Sequence, residues 1–201
     1  MQNSNPTLTA YQPNLIHCDL SQYQPESITK VLILGAESTG KTTLCQDLAT
    51  HFNEPWVLEY MRPYLQEKWD KEQKTCEWQD LLPIAQGQID LENKLAKQAQ
   101  KYLFCDTSLF ELMVYSHWYY NDCPSQIEQA VLSHHYDLIL LTKVDVPWVA
   151  DDLRDCPHER DKMAQKFADT LRHYNKDFRW IGGSRQQRVQ TVVGWLNDLL
   201  A

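Results

Sequence analysis

No apolar stretch in this 201-residue sequence approaches the ~20 residues that a bilayer-crossing helix needs, so a membrane span is excluded. A basic surplus is missing too: 19 Lys and Arg stand against 27 Asp and Glu, a formal net charge of -8. A chain that held polynucleotide by neutralising its phosphates would carry the opposite sign, or at least a basic stripe, and neither is visible. The six cysteines (Cys18, Cys45, Cys76, Cys105, Cys123 and Cys156) include no C-x-x-C pair, and the histidines do not cluster. That pattern argues against structural zinc and for reduced thiols. The first residues lack the basic and apolar regions of a secretory signal, so the expectation is a cytoplasmic protein. There is no fixed-period repeat. What remains is 43% hydrophobic and 11% aromatic residues, which excludes global disorder and suits one domain burying roughly 70% of its unfolded surface.

Residues 1–28, rich in Asn, Gln, Pro and Ser, read as a flexible N-terminal extension, and 29–201 as a single domain. Val31-Leu32-Ile33-Leu34 is a short continuous apolar run, as expected for a strand buried on both faces. Similar runs recur at 56–58, 102–105, 138–141 and 178–181, with helix-like segments between them, such as 41–52 and 81–100. Near the C-terminus, Val189, Val192, Val193, Leu196, Leu199 and Leu200 keep the spacing of one helical face. The alternation predicts an α/β fold in three layers, with a mainly parallel five-stranded sheet covered on both sides.

Gly35-Ala36-Glu37-Ser38-Thr39-Gly40-Lys41-Thr42 matches G-x-x-x-x-G-K-[ST], the phosphate loop of P-loop NTPases, at every position. It follows an expected strand and opens an expected helix. The glycines let successive N–H groups turn toward phosphate oxygens at a helix N-terminus. Residues Gly35 to Thr43 are therefore expected to cradle a triphosphate, with Lys41 on its β- and γ-phosphates and the Thr42 hydroxyl on Mg²⁺. Thr142-Lys143-Val144-Asp145 looks like the guanine-reading motif of GTPases, but the D-x-x-G that should accompany it is replaced by Asp106-Thr107-Ser108-Leu109.

Ligands of open α/β sheets sit beyond the C-terminal ends of the strands. Asp106, after the run 102–105, is placed there to face Mg²⁺. Glu59, after the second run, is placed to accept the proton of an attacking hydroxyl. Arg62 and Tyr60 beside it are candidate holders of the acceptor. The charged segment that follows the fourth run, about 145–175, reads as a lid, with Arg154 and Arg160 as the arginines closing on the phosphates. Tyr115, Trp118 and Tyr119 keep helical spacing and read more simply as a core stripe than as ring contacts.

Several of these pieces together resemble a known family. Gly35 to Leu44, Glu59-Tyr60-Met61-Arg62, Ile84-Ala85-Gln86-Gly87-Gln88, Phe104-Cys105-Asp106-Thr107 and Pro147 to Arg154 look like the ribosylnicotinamide kinase domain of NadR-type NAD-biosynthesis proteins. The resemblance implies a nucleoside-kinase-like fold with a lid, ATP and Mg²⁺ as cofactors, and phosphorylation of the ribose 5′-hydroxyl of nicotinamide riboside. It implies that Lys41 and Thr42 hold ATP and Mg²⁺, that Asp106 orders the metal's water, and that Arg154 closes over the phosphates. Asp152 stands where the family's lid motif usually has Gly. The H-x-G-H of the larger members is missing, so adenylyl transfer and repressor activity are not carried over. Two other readings stay open: a kinase for another nucleoside or mononucleotide, and a regulatory ATPase that switches a protein partner through residues 1–28. The expected partner is a small-molecule substrate, with no nucleic acid and no membrane; homo-oligomerisation is left open.

Overall fold

The structure is a computed structural model and describes residues 18–149 and 158–199. Five strands, β1 (Thr29–Leu34), β2 (Trp56–Val57), β3 (Tyr102–Asp106), β4 (Leu138–Thr142) and β5 (Arg179–Ile181), form one sheet in the order β2-β3-β1-β4-β5. Every pairing is parallel. Seven α-helices among the described residues connect and cover them: α1 (Lys41–Phe52), α2 (Met61–Glu72), α3 (Leu81–Ala96), α4 (Leu109–Tyr120), α5 (Ser125–Ser133), α6 (Arg160–His173) and α7 (Arg185–Leu199). None of them is long and apolar enough to cross a membrane.

The apolar runs become strands because a sheet covered on both faces has no polar side to supply. Alternate residues of β1 enter different layers. Leu32 and Leu34 pack with Leu103, Cys105, Ile139 and Leu141 on the face that also takes residues of α3, α4, α5 and α6. Val31 and Ile33 pack with Phe104, Leu138 and Leu140 against Leu44, Cys45 and Leu48 of α1 and Val192 and Leu196 of α7. The α7 stripe is narrower than its spacing suggests: Leu199 is exposed, and Leu200 lies outside the described residues. β5 corrects the expectation of five doubly buried strands. As an edge it buries Ile181 and leaves Arg179 and Trp180 exposed.

The described part of the expected extension, 18–28, is packed rather than free. Leu20 and Ile28 join the core, His134 Nε2 meets the Leu20 carbonyl at 2.8 Å, and the Tyr23 N–H donates to Asn93 Oδ1 at 2.7 Å. Lys30 and Glu92 pair at 2.9 Å with almost no exposure, and the Tyr136 hydroxyl donates to the second Glu92 oxygen at 2.8 Å.

The chain leaves β1 first toward β2 and β3, then returns past it to β4 and β5. That reversal leaves a crevice beyond the C-terminal end of β1, the place where such sheets bind ligands.

Candidate active site

Residues 35–40 turn the chain from β1 into α1. Gly35 has φ 151°, and a Cβ there would stand 1.9 Å from Thr142 Oγ1, so no larger residue fits against the end of β4. Thr142 Oγ1 in turn meets Thr39 Oγ1 at 2.7 Å, which ties the loop to that strand. Lys41 Nζ lies inside the loop, 2.8 Å from the Gly35 carbonyl and 3.2 Å from that of Ala36. Ser38, at φ 54°, takes the Val149 N–H on its hydroxyl at 3.0 Å.

A cavity of about 880 Å³ opens over this loop. Glu37 to Leu44 form its floor. Glu59, Met61, Arg62, Glu111 and Tyr115 line it on the β2–β3 side, and Asp145 to Pro147 with Gly183 to Arg185 line it on the β4–β5 side. The sheet order therefore gives one crevice two ends, one on each side of the phosphate loop.

Asp106 ends β3 in register with Ile33 of β1. Its Oδ2 accepts from the Thr42 hydroxyl at 2.5 Å, while Oδ1 is buried without a hydrogen-bond partner. Burial pushes its carboxyl up to about 6, with Glu59 adding to the rise and Lys41, Thr42 and Arg62 opposing it. The next residue, Thr107, sits at φ 69°, costly for a β-branched side chain, and its N–H continues the ladder to the Ile33 carbonyl at 3.1 Å. Glu59, just after β2, lies 3.9 Å from Arg62 Nε, one turn further on.

The I-A-x-G-Q segment explains how Glu59 is held. Gln88, buried on α3, accepts the Tyr60 N–H at 2.8 Å and donates to the Leu58 carbonyl at 3.3 Å, gripping the chain on both sides of Glu59. The Tyr60 ring lies on Gly87 of α3 and is not among the residues that line the cavity. Tyr115 is buried and lines the cavity, Trp118 packs on the core, and Tyr119 is half-exposed and stacked on Tyr115.

Of the two expected lid arginines, Arg154 lies outside the described residues, as does Asp152. Arg160 begins α6 and reaches the loop from behind: it donates to the Ser38 carbonyl at 3.3 Å and the Val146 carbonyl at 3.0 Å, with its guanidinium 5.5 Å from the Trp148 ring centre. It is not among the cavity-lining residues.

Two residues went unnoticed in the sequence. Glu111, in the first turn of α4, sits 3.5 Å from Lys41 Nζ, and burial pushes its carboxyl up to about 8. Lys41 itself is raised: burial alone would lower it, but Glu111, Glu59, Asp106 and Glu37 outweigh that. Arg188 of α7 is buried and donates to the Thr39 carbonyl at 2.7 Å and the Gly183 carbonyl at 3.0 Å, and it pairs with Asp145. The Gly183 N–H holds the other Asp145 oxygen at 2.6 Å. Both carboxylate oxygens of the T-K-V-D segment are thus engaged inside the protein, which accounts for the motif without a guanine.

A family whose description is AAA domain matches residues 30–188. Among curated proteins, the trifunctional NAD biosynthesis/regulator protein NadR of Salmonella typhimurium is 29% identical over 144 residues, covering 72% of this chain and 35% of that protein. The chain thus spans about a third of the length of that relative. Among solved structures, NadR in complex with NR gives a TM-score of 0.69 at 22% identity, covering 79% of this chain and 46% of that one. The complex of NadR with NAD and AMP-PNP gives 0.67 at 21%, covering 79% and 45%. Thymidylate kinase from Ehrlichia chaffeensis gives 0.60 at 16%, covering 86% and all of that chain. These structural likenesses show a shared P-loop kinase fold.

Proposed function

The chain belongs to the AAA-domain family, and from that membership and the geometry of its crevice we propose an ATP-dependent kinase that phosphorylates the ribose 5′-hydroxyl of nicotinamide riboside. The observation that carries this reading is the arrangement around Lys41. Thr42 of the phosphate loop pairs with Asp106 at the end of β3, and a second carboxylate, Glu59, lines the cavity from the neighbouring strand on that same side. The sequence relationship to a protein named for NAD biosynthesis, and the fold likeness to its complexes with NR and with AMP-PNP, support the choice of acceptor and donor.

The residues fit Mg²⁺: a threonine hydroxyl and a buried carboxylate with one oxygen unsatisfied make a hard-oxygen donor set. Thr42 and Asp106 would hold it, and when bound it neutralises charge on the β- and γ-phosphate oxygens. Loop N–H groups and Lys41 hold the triphosphate. Glu59 takes the proton of the 5′-hydroxyl as that oxygen bonds to the γ-phosphorus and the bond to the bridging oxygen of ADP breaks. Arg62, beside Glu59, steadies the acceptor or the developing charge.

ADP release from ATP and Mg²⁺ tests this, with nicotinamide riboside set against other nucleosides, mononucleotides and a no-acceptor control. Stimulation by nicotinamide riboside with its mononucleotide as product is the expected result. Stimulation by another acceptor alone replaces the substrate, and turnover indifferent to every acceptor replaces the kinase reading with a regulatory ATPase.

A further inference from the structure

Glu111 belongs to none of the roles above. It stands three residues after Ser108, the N-cap of α4, a spacing that normally lets the acid reach back and cap the helix. Ser108 does its part, with its hydroxyl accepting the Phe110 N–H at 3.1 Å. The Glu111 carboxylate turns instead into the cavity. One oxygen faces Lys41 Nζ at 3.5 Å, and the other has no hydrogen-bond partner although the residue is only 3% exposed. A buried carboxyl with an unsatisfied oxygen, lining a cavity, is matched to a ligand that brings the missing partner.

We propose that Glu111 is a specificity-determining residue of the acceptor site and hydrogen-bonds a sugar hydroxyl of the acceptor other than the one that attacks. The assignment rests on the kinase reading given above. Its position selects the group. Lys41 marks where the β- and γ-phosphates lie, so whatever Glu111 holds sits beside the phosphoryl group in transit. In a nucleoside that part is the sugar, with the base further out.

The surroundings select a hydroxyl over a cation, because a second cation would have to lie against the Lys41 ammonium. A carboxyl raised to about 8 by burial is partly protonated at neutral pH, and a hydroxyl, donor and acceptor in one atom, suits either form. Triphosphate binding strengthens the case. Once phosphate claims Lys41, Glu111 loses the only opposite charge that the ligand-free protein supplies within 4 Å among the described residues, and the acceptor takes over.

Steady-state kinetics of the full chain tests the assignment with wild type, Glu111→Leu and Glu111→Gln, on nicotinamide riboside and its 2′-deoxy and 3′-deoxy counterparts. Leu should raise the acceptor KM roughly tenfold or more and leave the ATP KM within about twofold, whereas Gln, which keeps both hydrogen-bonding functions, should retain most of the affinity. The Leu penalty should shrink on the deoxy acceptor whose missing hydroxyl Glu111 would have held. If Leu prevents folding, Glu111→Thr replaces it with the same expectation. Equal penalties on all three acceptors, or a rise confined to the ATP KM, overturn the assignment and leave Glu111 as a prop for Lys41. A wild type that prefers another nucleoside changes the substrate, and the same comparison is then scored on that nucleoside and its deoxy forms. A wild type that phosphorylates no sugar-bearing acceptor ends both readings.

Discussion

The Tyr60 ring lies so close over Gly87 that a Cβ on Gly87 would stand 2.1 Å from the ring edge. Because Tyr60 adjoins Glu59, the missing side chain on α3 sets where the proposed base sits. Gly87→Ala should displace Tyr60 and cost roughly 10²-fold in turnover, as misplacement by about 1 Å can. Adding Tyr60→Ala should return part of the loss. Kinetics of the single and double variants decide it, and an unaltered Gly87→Ala enzyme would detach this contact from catalysis.

Lys41→Ala should abolish turnover. Asp106→Asn should lower it by orders of magnitude while binding of a non-hydrolysable ATP analogue is largely kept, because the loss falls on the transition state. Titration calorimetry beside kcat separates the two effects.

Glu59→Gln should reduce kcat by roughly 10²–10⁴-fold, with a small change in acceptor KM. Near-normal turnover would remove Glu59 from the mechanism.

The buried pair of Lys30 and Glu92 predicts a stability effect remote from the site. Glu92→Ala strands the Lys30 charge and should cost about 3–5 kcal/mol, whereas Lys30→Met with Glu92→Leu should lose far less. Chemical denaturation of both variants measures the difference.

His134 should make the docking of 18–28 sensitive to acid. Burial lowers its pKa, with Lys30 and Lys176 lowering it further and the Leu20 carbonyl and Glu92 opposing. The unfolded chain therefore binds the proton more readily than the folded one. This contribution to stability is fully present above the unfolded value of about 6.5 and is lost as pH falls through the lower folded value. Protection of the 18–28 amides against hydrogen exchange, relative to their intrinsic rates, should fall over that acidic range, and His134→Gln should flatten the response.

How much could be read in advance depended on distance along the chain. The phosphate loop with β1 and α1 was legible because motif, strand and helix are contiguous. Asp106 was legible because an acid directly after an apolar run must lie at a strand end. Arg188 was not, since its partner Thr39 is 149 positions away and nothing local distinguishes it from a surface arginine. Glu111 was hidden by a spacing that reads equally well as a helix cap. The packing of 18–28 was missed because its partners, Glu92, Asn93 and His134, belong to distant elements. Edge exposure of β5 follows from strand order, which periodicity does not carry.

Arg188 grips the phosphate loop at Thr39, the turn after β5 at Gly183 and the end of β4 at Asp145. For protein engineering this makes the β4–β5 side of the crevice a poor place to edit freely: replacing Asp145 or reshaping the turn at Gly183 should also shift the backbone of the phosphate loop, so a change aimed at that side would arrive with slower chemistry.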